Sequence, residues 1–139
     1  TLADPSNPSS VNGVGVPLAD QWVVTVSELA SITAATTAYN TTITDVASSN
    51  DNVALVDLNA ILREASGGIV FDNYTITTSL VTGGLVSLDG VHLTGRGYAL
   101  MANRMLGAID DKFGSNFRTA TNGLAKADDY PTNYNPALR

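Results

Sequence analysis

The residues of this sequence best suited to acid–base chemistry are its single histidine and a carboxylate close to it. His92 follows Asp89 by three residues, in the segment Ser87-Leu-Asp-Gly-Val-His-Leu-Thr-Gly. Side chains three apart in a turn can meet. In that geometry the carboxylate accepts the Nδ1 proton, fixes the imidazole tautomer and stabilises an imidazolium, while Nε2 stays free to take a proton from a nucleophile. The spacing therefore indicates Asp89 as the orienting acid and His92 as a general base.

The acidic residues elsewhere, and the histidine itself, also have purely structural interpretations. A lone histidine ahead of a helix is often a surface or capping residue, and Asp-x-x-His alone does not exclude this. Asp57 or Asn59 is typical of a helix N-cap. Asp110-Asp111 and Asp128-Asp129 are neighbours whose side chains diverge, and no third oxygen ligand is spaced to complete a cation shell. The sequence therefore predicts no metal ligands and no cofactor-binding residues.

Helices are predicted on both sides of the Asp89–His92 segment. The capping box Thr25-Val-Ser-Glu28 begins a helix over residues 26–49, whose apolar positions recur at spacings of three, four and seven. Because its polar face is rich in threonine, a weak helix former, this helix should depend on docking its apolar stripe. A short helix over residues 58–65 is stopped by glycines. A second long helix spans residues 95–113, between an N-cap Thr94 and a left-handed Gly114.

The β-structure predicted between these helices is small. Residues 52–57 are a short apolar run between turn residues, which suits a strand buried on both faces of a parallel sheet. Residues 69–88 hold β-branched and aromatic runs separated by turn signals, which predicts a small antiparallel β-excursion outside the core. A single core strand leaves its backbone groups without partners. Either the β-excursion completes a small sheet, or strands are missing from this chain.

Composition limits the classes of function. The net charge of −6, without any basic run, argues against nucleic acid as a partner. The chain has no cysteine, which excludes a disulfide framework and a cysteine nucleophile. No apolar stretch approaches the ~18 residues that a membrane helix needs. Residues 1–17 form a predicted irregular arm or loop, and the aperiodic residues 118–139 a predicted surface tail. Because the chain begins with Thr1, we expect it to be processed, cut or truncated.

The strongest functional signal is a longer motif around the histidine, Leu85-Val-Ser-Leu-Asp-Gly-Val-His-Leu-Thr-Gly-Arg-Gly-Tyr-Ala-Leu-Met-Ala-Asn103. It strongly resembles the last block of the SGNH/GDSL hydrolases, which places Asp-x-x-His directly ahead of the final helix. Weaker similarity extends the resemblance over residues 17–117. It implies that Asp89 is the acid and His92 the base of a catalytic triad, and that Gly97 matches the glycine near the start of the closing helix. Leu93 stands where proline is usual.

The resemblance implies a three-layer α/β/α fold with a flavodoxin-like parallel sheet, of which residues 18–117 are the C-terminal part. In this family the nucleophile lies in a Gly-Asp-Ser motif near the start of the domain, and a glycine and an asparagine further on help to form the oxyanion hole. None of these three blocks is present. Ser66, Ser87 and Ser115 lack the surroundings of a nucleophile elbow. The expected function is therefore the C-terminal section of a GDSL-type lipase or esterase, inactive alone.

The resemblance also implies partners and a location. The nucleophilic serine would come from an N-terminal part of the same hydrolase, and the backbone of residues 53–56 would be paired or covered by that part or by a swapped second copy. The substrate would be a small ester, and acyl transfer to water needs no cofactor. The similar proteins are bacterial and extracytoplasmic, which implies a secreted, periplasmic or outer-membrane-associated location. The alternative interpretation is a noncatalytic α/β fragment or interaction module that retains the family scaffold.

Overall fold

The computed structural model of the chain describes residues 13–133. Residues 1–12 of the predicted arm (residues 1–17) and residues 134–139 of the predicted tail lie outside the described residues. Within the described range the protein is mixed α/β, with three α-helices, one two-stranded antiparallel sheet and two 3-10 turns. The chain divides into two compact units after Val46.

The first unit contains a 3-10 turn at Asp20–Trp22 and most of helix α1, Val26–Ser48. The predicted capping box is present. The Thr25 backbone N–H donates to Glu28 Oε2 at 2.9 Å, and the Glu28 N–H donates to Thr25 Oγ1 at 3.3 Å. Leu29, Ile32, Tyr39 and Ile43, which belong to the predicted apolar stripe, are all exposed. The helix prediction is confirmed, and no other described residue of the first unit covers its apolar stripe.

The other two helices belong to the second unit and begin and end at the predicted signals. Helix α2 spans Leu58–Gly67, and the Asp57 carboxylate caps it by accepting the Ala60 N–H at 2.8 Å. Helix α3 spans Gly95–Phe113. The Thr94 hydroxyl accepts the Gly97 N–H at 2.9 Å, and Gly114 ends the helix with φ of 66°. Both helix predictions are confirmed.

The strand predicted over residues 52–57 is absent from the described part of the chain. Residues 53–57 pair with no other strand, and the Leu55 side chain is 42% exposed. A strand exists only where a neighbour accepts and donates its backbone hydrogen bonds, and residues 13–133 supply none here. The parallel sheet expected from the family resemblance is therefore not part of the observed structure.

The hairpin consists of β1, Ile69–Phe71, and β2, Tyr74–Ile76, which pair antiparallel with Ile69 opposite Ile76. The predicted turn lies between them, with Asp72 at φ of 53°. The prediction that this β-excursion lies outside the core is wrong. Strand alternation buries Ile69, Phe71 and Ile76, which join Leu85 and apolar residues of α2 and α3 in the hydrophobic core. With residues 53–57 unpaired, the hairpin is the β-structure that covers these helices.

Part of the predicted surface tail is packed against other residues of the second unit. We call residues 123–133 the C-terminal strap. Ala127, in the 3-10 turn Ala127–Asp129, is fully buried. The Asn103 side chain on α3 accepts the Ala125 N–H and donates to the Ala125 carbonyl, both at 2.8 Å. Asp72 accepts the Ala127 N–H at 2.7 Å. The strap lacks periodicity because it is held through its backbone rather than by an apolar face.

Candidate active site

Asp89 and His92 lie in a closed loop that leads into α3. This dyad loop, residues 86–93, begins and ends at an antiparallel bridge between Val86 and Leu93. Just inside the bridge, the Ser87 N–H donates to the His92 carbonyl at 2.8 Å. The loop therefore has the form of a small hairpin, with Asp89 in its turn and His92 on the side that returns to the bridge.

The predicted contact between the two side chains is present. His92 Nδ1 lies 2.6 Å from Asp89 Oδ2. The other carboxylate oxygen, Oδ1, accepts three hydrogen bonds: from Ser87 Oγ at 2.6 Å, and from the Val91 and His92 N–H groups at 2.9 Å each. Gly90, with φ of 73°, allows the chain to turn tightly around the carboxylate. The turn therefore surrounds one oxygen with donors and leaves the second for the imidazole.

These donors stabilise the charged form of the carboxylate. The Ser87 hydroxyl, followed by the Val91 N–H, the His92 ring and the His92 N–H, holds the pKa of Asp89 well below its usual range. An ionised Asp89 at neutral pH favours the tautomer that carries its proton on Nδ1. The His92 side chain is 71% exposed, and its contact with Asp89 uses Nδ1. Nε2 is thus open to a second reacting group.

Thr94 and Gly97 fix the dyad loop to the start of α3. The Thr94 N–H donates to the Leu85 carbonyl at 2.9 Å, and its hydroxyl donates to the Gly84 carbonyl at 2.6 Å. The same hydroxyl accepts the Gly97 N–H. Leu85 is fully buried in the core. The exposed pair therefore stands on a base that is anchored both to the core and to a helix end.

An apolar groove of about 430 Å³ adjoins the loop. Val91 of the loop and Leu62 of α2 line it, together with Tyr98, Met101 and Met105 of α3. Val91 is 78% exposed, and Leu62, Tyr98 and Met105 are also exposed. The surface beside Asp89 and His92 is therefore apolar and open.

None of the serines Ser66, Ser87 and Ser115 is placed to act as a nucleophile with His92. Ser87 is next to the pair, but its hydroxyl donates to Asp89 and not to the histidine. The Ser66 hydroxyl donates to the Arg63 carbonyl, and that of Ser115 donates to Asp110. The structure thus brings together the two predicted site residues and adds Ser87, whose signal in the sequence is a hydroxyl two residues before an aspartate in a turn.

Asp110 and Asp111 have structural partners. Asp110 accepts hydrogen bonds from Ser115 Oγ and from the Phe117 and Arg118 N–H groups. Asp111 forms an ion pair with Arg118. Within residues 13–133 there is no cluster of three or more potential metal-ligating side chains. None of the helices in that range is both long and apolar enough to span a bilayer.

Comparison of the chain with protein-family models, with curated proteins and with solved structures finds no match in any of the three. The fold and the site define a mixed α/β protein that presents an Asp–His pair on the loop directly ahead of helix α3.

Proposed function

We propose that this chain is the C-terminal section of a serine ester hydrolase, with Asp89 as the acid and His92 as the base of its triad. The observation that carries the proposal is the 2.6 Å contact between His92 Nδ1 and Asp89 Oδ2, with the other oxygen held by three donors. An orienting acid has to be ionised and rigid, and these donors favour both. The similarity of residues 85–103 to the last SGNH/GDSL block supports the same assignment.

In the proposed reaction a serine from a complementary section attacks the ester carbonyl. His92 Nε2 takes the hydroxyl proton as the new C–O bond forms, and Asp89 stabilises the imidazolium. The imidazolium then gives its proton to the leaving alcohol as the ester C–O bond breaks. Water then attacks the acyl-enzyme as His92 takes its proton, and the imidazolium returns that proton to the serine oxygen as the serine C–O bond breaks and the acid is released. Oxyanion donors, which are worth about 10²–10³-fold each in kcat, come from the complementary section.

The uncovered surface of the second unit supports a complementary section. Residues 53–57 belong to no helix and pair with no strand, and the apolar groove lies beside the dyad loop. Added strands would satisfy the backbone of residues 53–57 and cover apolar side chains. The section that supplies the serine is the N-terminal part of the same hydrolase, whereas a swapped second copy would supply strands but no nucleophile. From the family resemblance we place the enzyme outside the bacterial cytoplasm.

The test is ester hydrolysis by this chain purified together with the polypeptide encoded ahead of it. We expect turnover of p-nitrophenyl acetate or butyrate, which His92→Ala abolishes and Asp89→Asn lowers by about 10⁴-fold in kcat. Asp129→Asn is the matched control, because this exposed carboxylate caps nothing in the described structure. Equal activity in His92→Ala, or an upstream polypeptide without a Gly-Asp-Ser segment, would refute the proposal.

The second candidate is a noncatalytic interaction module, and the open apolar groove is the observation that favours it. Such a module binds its partner without turnover. Association with the upstream polypeptide that persists in His92→Ala, in a complex that hydrolyses no ester, would favour this function over the first.

A further inference from the structure

We infer that the C-terminal strap positions the dyad loop, with Asn133 and Arg96 as the positioning residues. The inference rests on the proposed function in one respect: the direction of His92 Nε2 matters only if the imidazole acts on a reacting group. The contacts that carry it, however, are independent of any catalytic role.

Asn133 supports the base of the loop from outside. Its side-chain Nδ2 donates to the Val86 carbonyl at 2.8 Å. The bonds on either side of the Val86–Leu93 bridge, from Ser87 to the His92 carbonyl and from Thr94 to the Leu85 carbonyl, make this a non-hydrogen-bonded pair. The Val86 carbonyl therefore faces away from Leu93, and the Asn133 amide is its partner.

Arg96 joins the strap to the first turn of α3, four residues after His92. Its backbone N–H, one of the helix donors without an intrahelical acceptor, donates to the Pro131 carbonyl at 3.0 Å. Its Nε donates to the Ala127 and Tyr130 carbonyls at 2.8 and 3.2 Å. The guanidinium also stacks over the Tyr74 ring, 3.9 Å from its centroid. One residue thus binds the strap at three carbonyls and the hairpin through an aromatic face.

The strap can act as a support because it is itself fixed at several points. The Tyr74 hydroxyl donates to Asp128 at 2.5 Å, and Asp72 accepts the Ala127 N–H. Asn103 holds Ala125 from the middle of α3 by two hydrogen bonds. The strap therefore spans from the centre of α3 to the base of the dyad loop, with contacts to the hairpin between them.

The strap and the loop have separate tasks. Contact between Asp89 and His92 is made within the loop by local hydrogen bonds, so it should survive loss of the strap. What the strap fixes is the orientation of the whole loop relative to α3, and with it the direction of Nε2. Displacement of a reacting group by about 1 Å can cost about 10²-fold in rate.

Amide hydrogen exchange, measured residue by residue by NMR on the 139-residue chain, tests the inference without any activity. In Asn133→Ala we expect the Ser87 and Thr94 amides to exchange about five- to tenfold faster, as for the loss of one ordinary hydrogen bond. Amides in the centre of α3 should be unchanged. Asn116→Ala is the matched control, because Asn116 is exposed and its side chain forms no described hydrogen bond, while its carbonyl, which accepts from the Thr119 hydroxyl, is kept.

Arg96→Lys is the second variant, in case Asn133→Ala fails to fold. Lysine keeps a cation near Tyr74 but cannot donate to the Ala127 and Tyr130 carbonyls as the Arg96 Nε does. We therefore expect faster hydrogen exchange at the Ser87 and Thr94 amides. Unchanged exchange at Ser87 and Thr94 in both variants would overturn the inference, and so would equal acceleration throughout the unit. In the complex with the upstream polypeptide we expect kcat to fall about tenfold or more with KM unchanged. A complex without any activity would refute the proposed function and leave the exchange result standing.

Discussion

Gly97 lies so close to the Leu85 carbonyl that a Cβ at this position would stand 2.4 Å from the oxygen. The same oxygen accepts the Thr94 N–H at 2.9 Å. Leu85 precedes the dyad loop, and Thr94 follows it. The two ends of the loop and the first turn of α3 therefore meet at the Leu85 carbonyl. The turn of α3 can approach this carbonyl because Gly97 has no side chain.

Gly97→Ala should destabilise the protein. The added methyl would have to displace backbone, and overpacking of this kind typically costs ~1–3 kcal/mol in the free energy of unfolding. Urea denaturation followed by circular dichroism measures it. Gly67→Ala is the control, because a Cβ there meets nothing within 4 Å at the end of α2. Gly97→Ala as stable as Gly67→Ala would contradict the close approach.

The stabilisation that Asp89 provides should depend on pH. Its pKa in the folded chain lies below the value of about 3.9 that an unfolded aspartate has. The stabilisation is therefore fully present above pH ~4 and is lost as the pH falls toward the folded value. Asp89→Asn should be less stable than the parent at pH 7, and the difference should narrow at pH 3. A difference that stays constant over this range, or an equal loss in Asp129→Asn, would contradict the prediction.

Thr94 should be more important than an ordinary helix N-cap. Its hydroxyl accepts from Gly97 and donates to the Gly84 carbonyl. Thr94→Ala should cost about 1 kcal/mol for the cap and about 1 kcal/mol for the second hydrogen bond. Thr94→Ser keeps both bonds and should recover most of the loss. Equal destabilisation by serine and alanine in urea denaturation would show that the methyl group, and not the hydroxyl, stabilises this turn.

The sequence predicts those parts of the structure that are determined locally. Capping residues such as Asp57 and Thr94 act within one helical turn, so the bounds of the helices were predictable. The contact between Asp89 and His92 is likewise made inside a four-residue turn, so the spacing permitted it, and the longer motif of residues 85–103 favoured it. The hydrogen bond from the Ser87 hydroxyl to Asp89 is also local, because it joins residues only two positions apart.

Features that depend on distant residues were not predictable. The apolar run of residues 53–57 suits a strand, but a strand also needs a neighbour, and none is present in residues 13–133. Because residues 53–57 form no strand, the hairpin of β1 and β2 covers the helices instead, and its apolar side chains join the core. The C-terminal strap has no apolar period, and its anchors are backbone groups that reach Arg96 and Asn103 across 22 or more positions. Such contacts leave no pattern in the sequence.

Residues 53–57 should become ordered as a strand when the complementary section binds. In the isolated chain their backbone groups lack strand partners, so the Leu55 and Val56 amides should exchange with solvent almost without protection. Pairing on both edges of a sheet would slow that exchange by about 10²-fold or more, in keeping with the protection of core strands. Exposed amides at the start of α1 serve as an internal reference.

The two kinds of complementary section differ in how protection should arise. A swapped second copy would protect residues 53–57 in the isolated chain as its concentration rises, together with dimerisation measured by sedimentation. An N-terminal part of the same hydrolase would protect residues 53–57 only when that polypeptide is added. That protection would not depend on the concentration of this chain, as long as it exceeds the dissociation constant of the complex. Met105→Lys, which puts a charge into the apolar groove, should weaken either association, because burial of an unpaired charge is costly. If the Leu55 and Val56 amides remain unprotected under both conditions, the segment is a connection and not a latent strand, and the proposal of a complementary section loses its structural support.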